Sequence, residues 1–378
     1  MKYQSKKIGE IASVKGGKRL PKGMFVIDEP TPHPYLRIVD FADYGIDRTN
    51  IKYIDEEAFE KTKRYTIDKA DVYISIAGTI GRVGIVPDDL SGANLTENAA
   101  KITNISGDVD HKYLMYYLRG SVGQGQIANR TGGTSQPKLA LCRIADIDFP
   151  CPPLPIQRKA AKTLSAYDDL IENNRRRIQL LEQAARLLYK EWFVHLRFPG
   201  HEHIKITNGV PEGWEKKPLG AIAPLKYGKA LKNHDRVPGP FPVYGSSGIV
   251  GTHTKALVSG PTIIVGRKGN VGSVYWSPDD CHPIDTVYYI DSGNCSLFLY
   301  YALQQMTFIS TDVAVPGLNR DFAHSRSMLV AEQKILRLFE ETVSPLHQQM
   351  ELLKRQNAFL AKARDLLLPK LMNGEINV

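Results

Sequence analysis

Ile8-Gly9-Glu10-Ile11-Ala12, followed by Lys15-Gly16-Gly17-Lys18, opens the chain, and Leu219-Gly220-Ala221-Ile222-Ala223, followed by Lys226-Tyr227-Gly228-Lys229, opens it a second time. Two further echoes follow in the same order. Gly78-Thr79-Ile80-Gly81-Arg82-Val83-Gly84 is answered by Gly266-Arg267-Lys268-Gly269-Asn270-Val271-Gly272, and Tyr116-Tyr117-Leu118 by Tyr300-Tyr301-Ala302. Each copy closes on a long helical pattern, roughly 155–195 and 331–372. A repeat of about half the chain is too long for a solenoid, whose units run to ~20–50 residues. The expectation is two similar modules, each followed by one long helix, presenting two related surfaces in one molecule. That is a bridging or measuring device before it is an enzyme. The spacing between echoes shrinks along the chain, which puts extra residues in the first copy, around 25–55, where loops diverge while a framework persists.

Within each copy the pattern is of short strands and turns. Val72-Tyr73-Ile74-Ser75-Ile76 is apolar and β-branched, ends at Ala77-Gly78, and is followed by Val83-Gly84-Ile85-Val86. The second copy has Thr262-Ile263-Ile264-Val265, a turn at Gly266 to Gly269, then Val271-Gly272-Ser273-Val274-Tyr275. This reads as strand, Gly-rich turn, strand. Short helices are expected near 110–119 and 296–305. The fold class is therefore α+β: two similar α/β-mixed modules, 1–150 and 197–330 (the latter with its linker), and two long helices, 151–196 and 331–378.

The long helices carry heptad seams. In the first, Leu164, Tyr167, Ile171, Ile178, Leu181, Ala185, Leu188 and Trp192 recur at alternating steps of three and four, with Asn174 in the vacant slot. In the second, Phe339, Val343, Leu346, Met350, Leu353, Leu360, Leu367 and Leu371 recur, with Asn357 and Arg364 in the remaining slots. A single polar residue at a core position fixes register at some cost in stability. Antiparallel pairing with Asn174 opposite Asn357 puts Ile171 on Leu360, Trp192 on Phe339, Leu164 on Leu367 and Arg364 on Tyr167. The pattern alone also accommodates parallel pairing, or helices that each pack on their own module. Pro345 is expected to kink or distort the second helix. The seam from Leu164 to Trp192 would rise ~42 Å, against ~34–36 Å for a turn of B-DNA.

Composition narrows the partners. The chain has 378 residues and a net charge of +9, with a pI near 9.1, a balance that favours a polyanion such as nucleic acid. No run of ~18 apolar residues exists to span a membrane, and no apolar stretch follows the basic N-terminus to make a secretory signal. The four cysteines form no C-x-x-C pair and read as reduced thiols in a cytoplasmic protein.

Some stretches resemble a known family. They are Pro152-Pro153-Leu154-Pro155-Ile156-Gln157 and Leu181-Glu182-Gln183-Ala184-Ala185-Arg186-Leu187-Leu188-Tyr189-Lys190-Glu191-Trp192-Phe193 around the first helix. Around the second they are Ala331-Glu332-Gln333-Lys334-Ile335 and Arg364-Asp365-Leu366-Leu367-Leu368-Pro369-Lys370-Leu371-Met372-Asn373-Gly374-Glu375. The chain is similar over almost its whole length to the specificity subunits of type I restriction–modification systems. The resemblance implies two target-recognition domains separated by helices in an antiparallel coiled coil, each domain reading one half of a split, asymmetric site on double-stranded DNA. It also implies docking of two methyltransferase subunits and of restriction/translocase subunits. S-adenosylmethionine, magnesium and ATP would then belong to those partners, and this chain would be a non-catalytic subunit. The start of the second helix departs from the pattern, lacking the Pro-Pro run of the first.

Contacts to bases and phosphates need side-chain donors and acceptors or close backbone approach. The Gly-rich turns offer Thr79 and Arg82 in the first copy and Arg267, Lys268 and Asn270 in the second. A second cluster comprises Arg130, Thr134, Ser135, Gln136 and Lys138, answered by Asn319 and Arg320. A third is Lys15, Lys18, Arg19 and Lys22, answered by Lys226, Lys229 and Lys232. Any one of these could equally be a solvated surface group.

Other chemistry is weakly supported. Gly266-Arg267-Lys268-Gly269 lacks phosphate-loop spacing, and no Asn/Asp-Pro-Pro-aromatic motif is present for amino-methyl transfer. Pro87-Asp88 with Asp110-His111-Lys112 loosely fits a metal-dependent nuclease, without an equivalent in the second copy. His201-Glu202-His203 could ligate a metal, but it lies in the linker between the copies, 197–212, and a lone His-x-His is more often solvated. A self-contained nuclease and a helical scaffold that ignores DNA stay open as alternatives.

Overall fold

A computed structural model describes residues 3–42, 45–133, 137–308, 317–372 and 374–376. The contacts divide the chain into two units, 1–174 with 355–378, and 175–354. Each unit therefore takes a module together with one half of each long helix.

The first unit is built on a four-stranded antiparallel sheet in the order Ser13–Gly16, Ala99–Thr103, Val72–Ser75, Val83–Gly84. The second repeats it as Lys226–Tyr227, Val287–Ile290, Thr262–Gly266, Val274–Ser277. Each unit also joins the strand that opens its module to the one before a long helix, Ser5–Lys7 with Asp148–Pro150 and Glu215–Pro218 with Ser327–Val330. Two sequences that conserve the same pairing order fold alike because the buried faces, not the loops, dictate which strands meet.

Steric need explains why the openings match so well. A Cβ on Gly17 would lie 2.1 Å from the Thr96 carbonyl oxygen, and one on Gly228 2.0 Å from that of Ile284. Gly17 N–H donates to Ala99 and Gly228 N–H to Val287, so both strands cross a neighbouring backbone where no side chain fits.

The Gly-rich echo is real, but its register differs from the expected one. Gly81 N–H donates to the Ser75 carbonyl and Gly272 N–H to that of Gly266, while Ser75 N–H donates to the Arg82 carbonyl and Gly266 N–H to that of Ser273 across the same turn. Gly78 thus corresponds to Gly269 and Gly81 to Gly272, and all four glycines have positive φ, 72°, 88°, 78° and 77° in chain order for each copy. The expected pairing of Gly78 with Gly266 is three residues out. For the same reason the strand expected to begin at Val271 begins at Val274. Most of the extra chain in the first unit lies between Leu36 and Ser75 and includes the helix Glu56–Thr62.

The short helices are His111–Arg119 and Leu297–Gln305, N-capped by the Asp110 and Ser296 side chains. The caps correspond, so the two tyrosine pairs sit two positions apart in the equivalent helices. The long helices span Leu154–Tyr189, followed by a π-helical turn at Lys190–Val194, and Gln333–Met372. The second runs through Pro345 without interruption. Pro345 lies on the exposed side, where the carbonyl it deprives of a partner can be hydrated.

In the first unit Asn174 Nδ2 donates to Asn357 Oδ1 at 3.0 Å, and Leu164, Leu368 and Leu371 join the module core. In the second, the Trp192 and Phe339 rings lie 5.8 Å apart, and Ala185, Tyr189, Phe339 and Val343 join that module's core. Within each unit the two helices run antiparallel. Arg364 bonds the Asp168 carboxylate, next to the tyrosine expected to receive it.

Candidate nucleic-acid interface

The glycine turn of the first unit is held by one serine. Ser75 Oγ donates to the Thr79 carbonyl and accepts from Arg82 N–H at 2.8 Å, and Gln124 donates to the Gly81 carbonyl at 2.9 Å. In the second unit the hydroxyl comes from the opposite strand: Ser273 Oγ donates to the Asn270 carbonyl at 3.0 Å. It occupies the space a side chain at position 266 would need, 2.3 Å from where that Cβ would stand. Both turns thereby project an exposed polar side chain at the same place, Thr79 in one and Asn270 in the other. They differ beside it. Arg82 folds back on the Phe41 carbonyl, whereas its counterpart is Ser273.

A cavity of about 550 Å³ opens beside the first turn, lined by Thr79, Gly81, Arg82, Arg119, Gln124 and Arg364 among others. Three residues of its lining, Tyr116, Arg119 and Arg364, converge on Asp168. Asp168 accepts from the Tyr116 hydroxyl at 2.6 Å, pairs with Arg119 at 3.5 Å and bonds Arg364. Burial, and next the nearby Asp168 charge, push the Tyr116 phenol well above its ordinary value, so it stays protonated and donates to Asp168.

The basic opening runs expose their cations. Lys15, Lys18, Lys229 and Lys232 are exposed, and Lys18 Nζ lies 6.0 Å from the Tyr65 ring, over which Arg64 also sits at 4.9 Å. Two members are engaged within the chain. Arg19 bonds Glu97 at 2.6 Å, and Lys226 bonds Asp291, whose carboxyl that bond holds below its usual range.

The second cluster separates. Arg130 is only partly exposed and is tied to the Asp146 carbonyl at 3.0 Å and to the Asp146 and Asp148 carboxylates. Asn319 Oδ1 accepts from the backbone of Asp321 and Phe322, capping the helix Arg320–Ser325. Both residues shape their modules. Lys138 is exposed and bridges Gly132 and Ala77 through its backbone; Lys268 is exposed and bridges Gly317 in the same way. Thr134, Ser135 and Gln136 lie outside the described residues.

The sequence reading missed an aromatic pair. Tyr227 and Tyr288 meet edge to face at 5.0 Å, and the guanidinium carbons of Arg267 and Arg320 stand 5.0 and 5.2 Å from the Tyr227 centroid. The visible signal was the tyrosine in Lys226-Tyr227-Gly228-Lys229 where the first copy has Gly16.

The loosely nuclease-like residues do not form a site. Asp110 caps a helix and Asp88 pairs with Lys69. Among the described residues no group of three His, Cys, Asp or Glu stands close enough to hold a metal, and no helix is long and apolar enough to cross a membrane.

The family model described as the type I restriction modification DNA specificity domain matches residues 1–183 and 211–322. Over 412 aligned positions the chain is 25% identical to the type I restriction enzyme MjaIX specificity subunit of Methanocaldococcus jannaschii, covering 100% of this chain and 94% of that protein. It is 26% identical over 140 residues to the EcoBI specificity subunit of Escherichia coli, 36% of this chain and 29% of that one. The fold is similar to the crystal structure of a type I restriction–modification S subunit from M. genitalium, with a TM-score of 0.58, 19% identity, and coverage of 98% and 96%.

Proposed function

Because the chain belongs to the type I restriction modification DNA specificity family, we propose that its two modules each read one half of a split, asymmetric sequence on duplex DNA. One observation carries this reading. The modules share a sheet order and glycine framework while differing at the exposed turn and opening positions, as two readers of different half-sites would. The net charge of +9 supplies the sequence-independent attraction to phosphates.

The long helices are the surface for methyltransferase subunits, with restriction/translocase subunits joining the assembly. Exposed apolar side chains support this. Leu170, Phe359 and Leu366 in the first unit, and Leu180, Leu187 and Leu352 in the second, face solvent. Leu352, Phe359 and Leu366 recur at heptad spacing outside the Asn357 seam, the pattern a further helix would pack on. Methyl transfer and cleavage, with S-adenosylmethionine, magnesium and ATP, are the work of those partners. The location is the cytoplasm, where the DNA is.

Selection from random duplexes by the full chain with its co-purified partners tests the reading. It should enrich two short blocks separated by unread base pairs. Enrichment of one continuous block, or cleavage of plasmid by the isolated chain with magnesium, would overturn it.

A further inference from the structure

Hydrogen bonding sets four positions of the two units in correspondence. Gly16 pairs with Ala100 as Tyr227 pairs with Tyr288. The Ile76 carbonyl accepts from Leu139 as the Arg267 carbonyl accepts from Leu318. Two residues further on, Leu141 and Arg320 open equivalent short helices. The same four places thus hold Gly16, Ala100, Ile76 and Leu141 in the first unit, and Tyr227, Tyr288, Arg267 and Arg320 in the second. In the first, Leu141 Cδ1 closes over Gly16, 3.6 Å from where a Cβ would stand. In the second, two guanidinium groups flank a tyrosine ring that is 48% exposed.

That second quartet is held in place. Arg267 Nη1 donates to the Asp285 carbonyl at 3.1 Å, and the Tyr288 hydroxyl donates to the Leu318 carbonyl at 2.8 Å. Arg267 makes no ion pair among the described residues, and the nearest carboxylate to Arg320 is its neighbour Asp321 at 3.8 Å. Arg320 Nε is buried without a hydrogen-bond partner among the described residues. Stacked guanidinium groups lose little further freedom on binding and keep a planar fork of donors. That fork matches the O6 and N7 acceptors of guanine in the major groove.

We propose that Arg267 and Arg320, positioned on Tyr227, read guanine in the half-site of the second unit, and that the apolar quartet of the first unit makes no such contact. The two half-sites are then distinguished by opposite chemistry on one framework. This rests on the split-site reading above and names the residues that execute half of it.

The test uses the full chain with its co-purified partners and a library of random duplexes. The unmutated complex should enrich a split motif with at least one fixed guanine in one block. Arg267→Ala and Arg320→Ala should each weaken binding to that motif about 10- to 100-fold and relax the guanine alone, leaving the other block fixed. The retained block shows that the variant is folded. Arg267→Lys, which keeps charge but loses the fork, should not restore the guanine. The inference is overturned if neither alanine variant changes the motif. It is also overturned if all sequences weaken together, the salt dependence becomes shallower and lysine restores binding, since those are the signs of a phosphate contact. If the unmutated complex enriches no split motif, both the inference and the reading beneath it fall, and the wild-type arm alone reveals this.

Discussion

Asn174 and Asn357 meet side chain to side chain in the seam between the long helices, Nδ2 to Oδ1 at 3.0 Å, and Asn357 Nδ2 turns on to the Ile171 carbonyl at 3.3 Å. Asn174 is buried and is flanked along the seam by Ile171. A one-heptad slip would set Asn174 against Met350 and Asn357 against Tyr167, or Asn174 against Arg364 and Asn357 against Leu181; either way the amide pair is broken, and leaving buried polar atoms unpaired costs more than the pair itself contributes. The expected outcome is a coupled pair. Asn174→Leu or Asn357→Leu alone should lower unfolding stability by about 1–2 kcal/mol, while the double variant should be more stable than either. Denaturant titration of the four-member cycle checks this, and strict additivity would show that the two amides do not interact.

A second pair stabilises the same unit differently. Arg364 has a side chain only 3% exposed, bonded to Asp168 and, at 2.6 Å, to Asp365. Removing the acidic partner of a buried cation costs more than the pair is worth. Asp168→Ala should destabilise by about 3 kcal/mol, more than Asp365→Ala, because Asp365 is largely exposed and its loss leaves Asp168 in place. Equal effects in thermal unfolding would refute the assignment of Asp168 as the hub.

Much of this framework was legible in the sequence because its demands are steric. Gly17 and Gly228 persist where a Cβ would strike a carbonyl oxygen, and the heptads persist because a seam tolerates few substitutes. The register of the Gly-rich turn was not legible, for a specific reason. Gly266 imitates Gly269, yet it is glycine because a Cβ there would strike the Asn270 carbonyl oxygen and the Ser273 hydroxyl, so the spacing fits two alignments and only hydrogen bonding separates them. The interface was half legible. Exposed lysines can be read from a basic run, but the acids that tie Arg130 down, Asp146 and Asp148, arrive from another element. Tyr227 was overlooked because a tyrosine opposite a glycine reads as drift until its two arginines are seen around it.

The paired glycines give a clear stability test. Gly17→Ala and Gly228→Ala each force a methyl group to within about 2 Å of backbone oxygen, where no flexible side chain can yield. Each should cost several kcal/mol, on the order of 3 or more, and should loosen its own module first. Hydrogen exchange resolved by segment would show this. Protection unchanged within the mutated module would mean that the crossing is looser than described.

Acid should weaken the second unit through His347. Burial, with a smaller contribution from Lys354, lowers its pKa to about 4, and its Nε2 shares a 2.7 Å hydrogen bond with the Tyr301 hydroxyl. The unfolded chain takes up that proton near pH 6.5, the folded one only near 4. Between those values the unfolded state binds more protons, so stability rises with pH. The contribution is complete above about pH 6.5 and is lost as pH falls toward 4, amounting to roughly 3 kcal/mol. His347→Gln should flatten that part of the pH profile measured by denaturant unfolding; an unchanged slope would assign the acid sensitivity elsewhere.

The apolar stripe outside the helix seam separates folding from assembly. Phe359 is 73% exposed and Leu366 61%, so neither contributes much to the fold of the isolated chain. Replacing Phe359 with Ser should change stability by no more than about 0.5 kcal/mol, the usual range for a surface position. The same change removes the largest ring from a face that a partner helix would cover, and burial of such a ring carries about 2 kcal/mol or more of association energy. Co-purification with the proposed methyltransferase partner should therefore fall by an order of magnitude or more while the melting temperature of the isolated chain holds. The comparison must be made at one protein concentration, because partner binding itself raises apparent stability. Assembly that survives Phe359→Ser together with Leu366→Ser would move the docking surface off this stripe.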